Sequence, residues 1–136
     1  MKTPDRFIGP AGEALVRFDL LRRGVVCHSV GHANSSYDLI AEQKERLIRV
    51  EIKTAAAVNF INKGRGKFTR RYSFKLGGHN GDPNKYACVD VFAFVALDLQ
   101  KVLYYPWFDV RGSACAKKIG AQVFLGDDGF SRCFLE

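Results

Sequence analysis

Asp38, Glu51 and Lys53 are the residues of this chain whose types and spacing could do chemistry. Asp38 sits in the short apolar run Tyr37-Asp38-Leu39-Ile40. Glu51 and Lys53 sit in Arg49-Val50-Glu51-Ile52-Lys53, and only a charged turn separates the two runs. Alternation along a strand sends Glu51 and Lys53 to one face and Val50 and Ile52 to the other. If the turn at 42–46 pairs the two runs as strands, Asp38 comes to the same face beside Glu51. Two carboxylates and one ammonium then converge on a point. That set makes a divalent-cation site with a charged helper, and phosphodiester hydrolysis is the reaction that most often needs one. Hard oxygen ligands favour Mg²⁺, with Mn²⁺ as its substitute, because Mg²⁺ keeps several waters and needs few protein ligands. A Glu-x-Lys alone on a strand is ordinarily a solvated face with a weak ion pair. The second acid upstream is what lifts this one above that reading.

Periodicity and punctuation give the elements that must hold these residues. Gly9-Pro10 before an apolar pattern and Gly24 after it predict a helix over 11–23, with Ala14, Leu15, Phe18 and Leu21 as its apolar stripe. Strands are predicted at 25–30, 37–41, 47–54 and 71–75. A hairpin of 89–97 and 101–105 then turns through Asp98-Leu99-Gln100. The tail supplies a short helix and edge strands at 122–125 and 130–134. The fold class predicted is α/β (α+β), a mixed central sheet with a helix packed on one face, in a single domain over residues 1–136. A chain of that length buries a core without staples. Cys27, Cys88, Cys115 and Cys133 are scattered with no Cys-x-x-Cys spacing, so reduced thiols are expected rather than a zinc site or a disulfide framework. No apolar run approaches a membrane span and no signal-peptide core follows Met1, so a soluble, cytoplasmic protein with no membrane partner is expected.

The order of these features resembles the PD-(D/E)xK nuclease superfamily: Glu13 inside the first helix, Asp38 opening a strand, and Glu51-Ile52-Lys53 ending the next, with Asp38 thirteen positions before Glu51. The pattern is most like the small group I intron-associated (homing-type) endonucleases and next most like archaeal-type Holliday junction resolvases. Tyr37 stands where the motif often has Pro. The resemblance implies a restriction-endonuclease-like fold and a Mg²⁺-dependent endonuclease with Glu13, Asp38, Glu51 and Lys53 as its catalytic set. The cation would be held by Asp38, Glu51 and the backbone carbonyl of Ile52, with Glu13 completing the site through a water or a second ion. Thr54, on the opposite strand face, is assigned to packing.

The formal charge of +7 is concentrated in one segment. Between Phe60 and Tyr86 stand Lys63, Arg65, Lys67, Arg70, Arg71, Lys75 and Lys85 against one acid, Asp82. Phe60, Phe68, Tyr72, Phe74 and Tyr86 interleave with them, and five glycines loosen the stretch. A basic arm mixed with aromatics suits a polyanion whose phosphates need cations and whose bases offer flat faces. The nucleic-acid contacts expected are therefore Lys63, Arg65, Lys67, Arg70, Arg71, Tyr72, Lys75, Lys85 and Tyr86, with duplex DNA or a four-way junction as partner. Asp90 reads as a capping residue rather than a site acid. One site per short chain, for a substrate of two strands, predicts a homodimer or higher symmetric oligomer. Its surface is expected among Val123, Phe124, Leu125, Phe130, Phe134, Leu135 and the cluster at 104–108. Against the enzyme reading stands a non-catalytic DNA-binding subunit on the same fold, which has no use for Asp38, Glu51 and Lys53 together.

Overall fold

In the computed structural model, which describes residues 2–30, 37–62, 68–76, 86–111 and 116–135 (backbone alone at 60–62 and 68), helix α1 runs over Asp5–Arg22 and contains Pro10 instead of starting after it. Proline has no N–H to give the Arg6 carbonyl, a loss of one bond near the helix start that the packing of α1 outweighs. The end is as the glycine predicts. Gly24 takes φ +81°, the Val25 N–H reaches the Leu20 carbonyl at 3.0 Å, and the Gly24 N–H reaches that of Leu21 at 3.0 Å, the bond pattern of a Schellman stop. The buried face is Gly12, Val16, Asp19 and Leu20, not the predicted stripe: Phe18 and Leu21 are 64% and 55% exposed. Two contacts turn the helix this way. A Cβ at Gly12 would lie 1.8 Å from Thr54 Oγ1, so only glycine lets α1 come this close to the sheet. Asp19, further along, is buried because it accepts a 2.6 Å hydrogen bond from the Tyr104 hydroxyl and pairs with Arg22 at 3.0 Å and Arg23 at 3.5 Å.

A five-stranded mixed sheet lies under the helix, in the order β1 (Val26–Ser29), β2 (Leu39–Gln43), β3 (Arg46–Ala55), β6 (Val91–Ala96), β7 (Lys101–Pro106). β3 and β6 are parallel and the other neighbours antiparallel. A second, three-stranded sheet is made of β4 (Asn59–Asn62) and β5 (Phe68–Lys75), which lie between β3 and β6 in the chain, and of β8 (Ala116–Gly120), which comes after β7; β5 is in the middle. Alternation sorts the core into two layers. Ile48, Val50 and Ile52 face α1 with Val16, Leu20 and Tyr104, while Phe92, Phe94 and Leu103 face Tyr72, Phe74 and Ile119 of the small sheet. β6 is covered on both faces, so all six of its residues are buried.

The tail departs from the predicted edge strands. Residues Ala121–Leu125 form a 3₁₀ turn and Phe130–Cys133 a short helix, α3, which follows α2 (Trp107–Val110) in the chain. Asp128 Oδ1 accepts the Phe130 N–H at 3.0 Å, and Gly129 turns at φ +79° where a Cβ would meet the Tyr104 carbonyl at 2.2 Å. The Asp-Asp-Gly corner thus folds the tail back onto β7. Phe124, Phe130, Phe134 and Tyr104, expected on an oligomer surface, are core residues at 6% exposure or less; Leu125 and Phe108 stay open at 75% and 70%.

Candidate active site

Asp38 marks the point where β2 and β3 part. Its N–H donates to the Val50 carbonyl at 2.9 Å, the last backbone bond at this end of the pair, and its Oδ2 accepts the Ile52 N–H at 2.7 Å. The side chain therefore takes over a ladder position that the backbone of β2 has left. In an extended strand the N–H and C=O of one residue leave toward the same neighbour. The Ile52 carbonyl accordingly points to the β2 side, where Asp38 is. Leu39 and Ala41 of β2 face α1, so alternation puts Asp38 on the other face of the sheet, with Glu51 and Lys53.

Two charged side chains are buried among the described residues, Asp19 and Glu51. Arg22, Arg23 and the Tyr104 hydroxyl neutralise Asp19. Glu51 has no such partners. It is 7% exposed, makes no salt bridge among the described residues, and shares a hydrogen bond with the carboxyl of Asp38. Burial, then that hydrogen bond and the charge of Asp38, push its carboxyl up to about 9, with Lys53 and the Ile52 N–H pulling the other way. Without a cation the pair holds a proton at neutral pH. Two adjacent hard-oxygen donors in a desolvated spot, with a carbonyl directed alongside, are a donor set that fits Mg²⁺.

Glu13 joins the set only at its margin. It arrives from α1, on the other face of the sheet, and is an exposed residue. Its carboxyl is shifted upward by partial burial first and by Asp38 second, with Arg17 opposing. Among the described residues no three His, Cys, Asp or Glu side chains close together as one metal-holding group. The structure thus brings Asp38, Glu51 and Lys53 to one face and leaves Glu13 as a neighbour of Asp38 across the strand end. Thr54 packs under Gly12, on the opposite face from Lys53.

The remaining candidates separate by position. Lys63, Arg65, Lys67 and Lys85 lie outside the described residues. Tyr72 is not a nucleic-acid contact: it is 1% exposed, and its hydroxyl donates to Asp98 at 2.8 Å. Tyr86 is 6% exposed, so its ring offers no face to a base either; Lys53 Nζ lies 5.1 Å from its centroid. Arg71 and Lys75 alternate with buried Tyr72 and Phe74, which sends them to the outward face of the small sheet, while Arg70 is exposed near the start of β5. The register pairs Ser73 with Lys118, adding a cation to that outward face that lies outside the basic segment and was missed in the sequence. Only the pairing of β5 with β8 reveals it. Asp90 is a capping residue as predicted, its carboxylate accepting the Arg49 N–H at 2.8 Å and the Arg49 Nε at 3.1 Å at the head of β6.

Solved structures share this architecture, among them two nucleases. I-Ssp6803I, a bacterial homing endonuclease, aligns over 86% of this chain and 75% of its own with TM-score 0.65 and 14% identity. Hjc, a Holliday junction resolvase from the archaeal hyperthermophile Archaeoglobus fulgidus, aligns over 94% of this chain and 98% of its own with TM-score 0.58 and 12% identity. Both are PD-(D/E)xK-type nucleases. This chain has the fold of these two nucleases. No protein-family model and no curated sequence matches the chain, so the likeness is one of architecture. Within that fold, the parting of β2 and β3 that exposes Asp38 beside Glu51 follows from this chain's own hydrogen bonds. Among its described residues no helix is long and apolar enough to cross a membrane.

Proposed function

We propose that this chain is a Mg²⁺-dependent DNA endonuclease that hydrolyses phosphodiester bonds at Asp38, Glu51 and Lys53. The observation that carries this reading is Glu51, a buried acid whose neighbour is a second acid, whereas the other buried acid among the described residues, Asp19, is paired with two arginines. An uncompensated buried carboxylate costs stability, so its use lies in binding a cation. Asp38 and Glu51, with the Ile52 carbonyl, would hold Mg²⁺ or, in its place, Mn²⁺. When bound, such an ion supplies Lewis acidity and an acidified water for attack on phosphorus. Asp38 is kept in place by the Ile52 N–H. Lys53, on the same face, offsets the negative charge that builds on the phosphoryl oxygens as the bond to the leaving oxygen breaks. Glu13 acts on the site through Asp38 and at most through an intervening water. The outward cations of the small sheet, Arg71, Lys75 and Lys118, follow the phosphate backbone.

By name one neighbour is a homing endonuclease and the other a Holliday junction resolvase. We favour duplex cutting of the homing type, because the basic segment after Lys53 supplies side chains suited to base edges, Arg70 among them. Junction resolution is the second reading, supported by the greater coverage of the resolvase. Supercoiled plasmid, a library of linear duplexes and a synthetic four-way junction, each incubated with Mg²⁺ or EDTA, separate the two. Duplex cutting at discrete sites is the expected result. Cutting of the junction alone would assign the chain to the second class, and metal-independent cutting would remove the site from the mechanism.

A further inference from the structure

We propose that Tyr86 is a positioning residue, its buried ring forming the seat on which the Lys53 ammonium rests beside the Asp38–Glu51 pair. The consequence for rate rests on the nuclease reading above; the seat itself does not. A lysine on a strand has many rotamers, and a charge that must meet one phosphate needs one of them selected. Coulombic attraction to Glu51 is too diffuse to select it, for among the described residues no carboxylate lies within salt-bridge distance of Lys53. The Tyr86 ring does lie within reach, 5.1 Å from Nζ to the centroid, inside the range where a ring quadrupole attracts a cation.

The ring is itself fixed. It stands edge-on to Phe92 at 5.2 Å and 83°, and Phe92 is stacked on Phe94 at 5.8 Å and on Trp107 at 6.0 Å. The Tyr86 carbonyl accepts the Val89 N–H at 2.9 Å, closing the turn that leads toward β6. Register then does the aiming: Phe92 pairs with Glu51 and Phe94 with Lys53 across the parallel strands. The strand that carries the aromatic support is therefore keyed residue by residue to the strand that carries the site. A tyrosine that was expected to stack on DNA is spent inside the protein, under the one lysine of the site.

The test reads the seat and the rate separately. In protein labelled with ¹³C at the lysine ε position, assigned by loss of the signal in Lys53→Arg, the Lys53 ε protons are expected to show ring-current displacement in the wild type and in Tyr86→Phe. The displacement is expected to vanish in Tyr86→Leu. In single-turnover cleavage with Mg²⁺, Tyr86→Leu is expected to cut about tenfold more slowly at unchanged DNA affinity, the worth of one partly desolvated cation–π contact. Tyr86→Phe, which keeps the ring, is expected to restore most of the rate. A Lys53 signal that does not move in Tyr86→Leu overturns the seat, whether or not any DNA is cut. A signal that moves while the rate stays at the wild-type value overturns the positioning role. A wild type that cuts no DNA overturns the nuclease reading alone, because the resonance is read on the protein by itself.

Discussion

At the scale of single residues, Glu51 determines how the metal-free protein responds to pH. Its carboxyl is raised from 4.5 to about 9. Below the lower value folded and unfolded chains both hold the proton. Between the two values the unfolded chain releases it and the folded chain keeps it, so stability falls as pH rises across that window. Glu51→Gln removes the penalty. In metal-free protein at about pH 8 the variant is expected to gain roughly 1–3 kcal/mol and several degrees in Tm. A thermal melt in EDTA checks this, and a loss of stability would mean that the carboxylate is satisfied as it stands. If the pair holds Mg²⁺ as proposed, the ion displaces the shared proton, and apparent affinity is expected to increase from about pH 7 to about pH 9, which calorimetric titration reads directly. Asp38, Glu51 and Lys53 were legible in the sequence because strand alternation fixes their face. Tyr72 and Tyr86 were misread because an aromatic among cations has the same signature in a DNA-binding arm as in a core strand, and only burial separates them.

At the scale of elements, α1 is set by one glycine and the basic surface by one strand pairing. Gly12→Ala improves helix propensity by about 1 kcal/mol. It also places a methyl group 1.8 Å from Thr54 Oγ1 and 2.8 Å from Thr54 Cβ. The clash wins, and the variant is expected to lose roughly 3 kcal/mol and about 10 °C in Tm, with Glu13 moved off Asp38; an unchanged melt would contradict the close approach. On the small sheet, Arg71→Ala, Lys75→Ala and Lys118→Ala are each expected to lower the slope of log affinity against log salt by about 0.9. Lys118 is the informative one, since register alone put it there; a slope indifferent to Lys118→Ala would leave the outward face as a solvated surface. Apolar runs bounded by turn residues made the strands of the central sheet legible, and Gly24 the end of α1. The start of α1 was not, because Pro10 signals a helix start as well as it tolerates a place in an early turn. The tail was misread because its two apolar runs pack as single turns, fixed by the corner at Asp128 and Gly129, which no strand period encodes.

At the scale of the whole molecule, one small chain carries one candidate site and a duplex has two strands to cut. We propose a two-fold oligomer, dimer or higher, as the working form. Light scattering is expected to show it, while a monomer that stays monomeric on DNA and still cuts both strands in one encounter would exclude it. The mixed sheet with a helix on one face was legible from the order of elements. The second sheet was not, because its three strands come from two distant segments and meet only through the pairing of β5 with β8. All of these readings converge on the pair at the parting of β2 and β3. Its most direct test is cleavage of supercoiled plasmid in Mg²⁺ by the wild type and by Glu51→Gln, with DNA binding measured alongside. Nicking or linearisation by the wild type, with at least a hundredfold loss in Glu51→Gln and binding retained, is the result expected. Full cutting by Glu51→Gln would contradict the account.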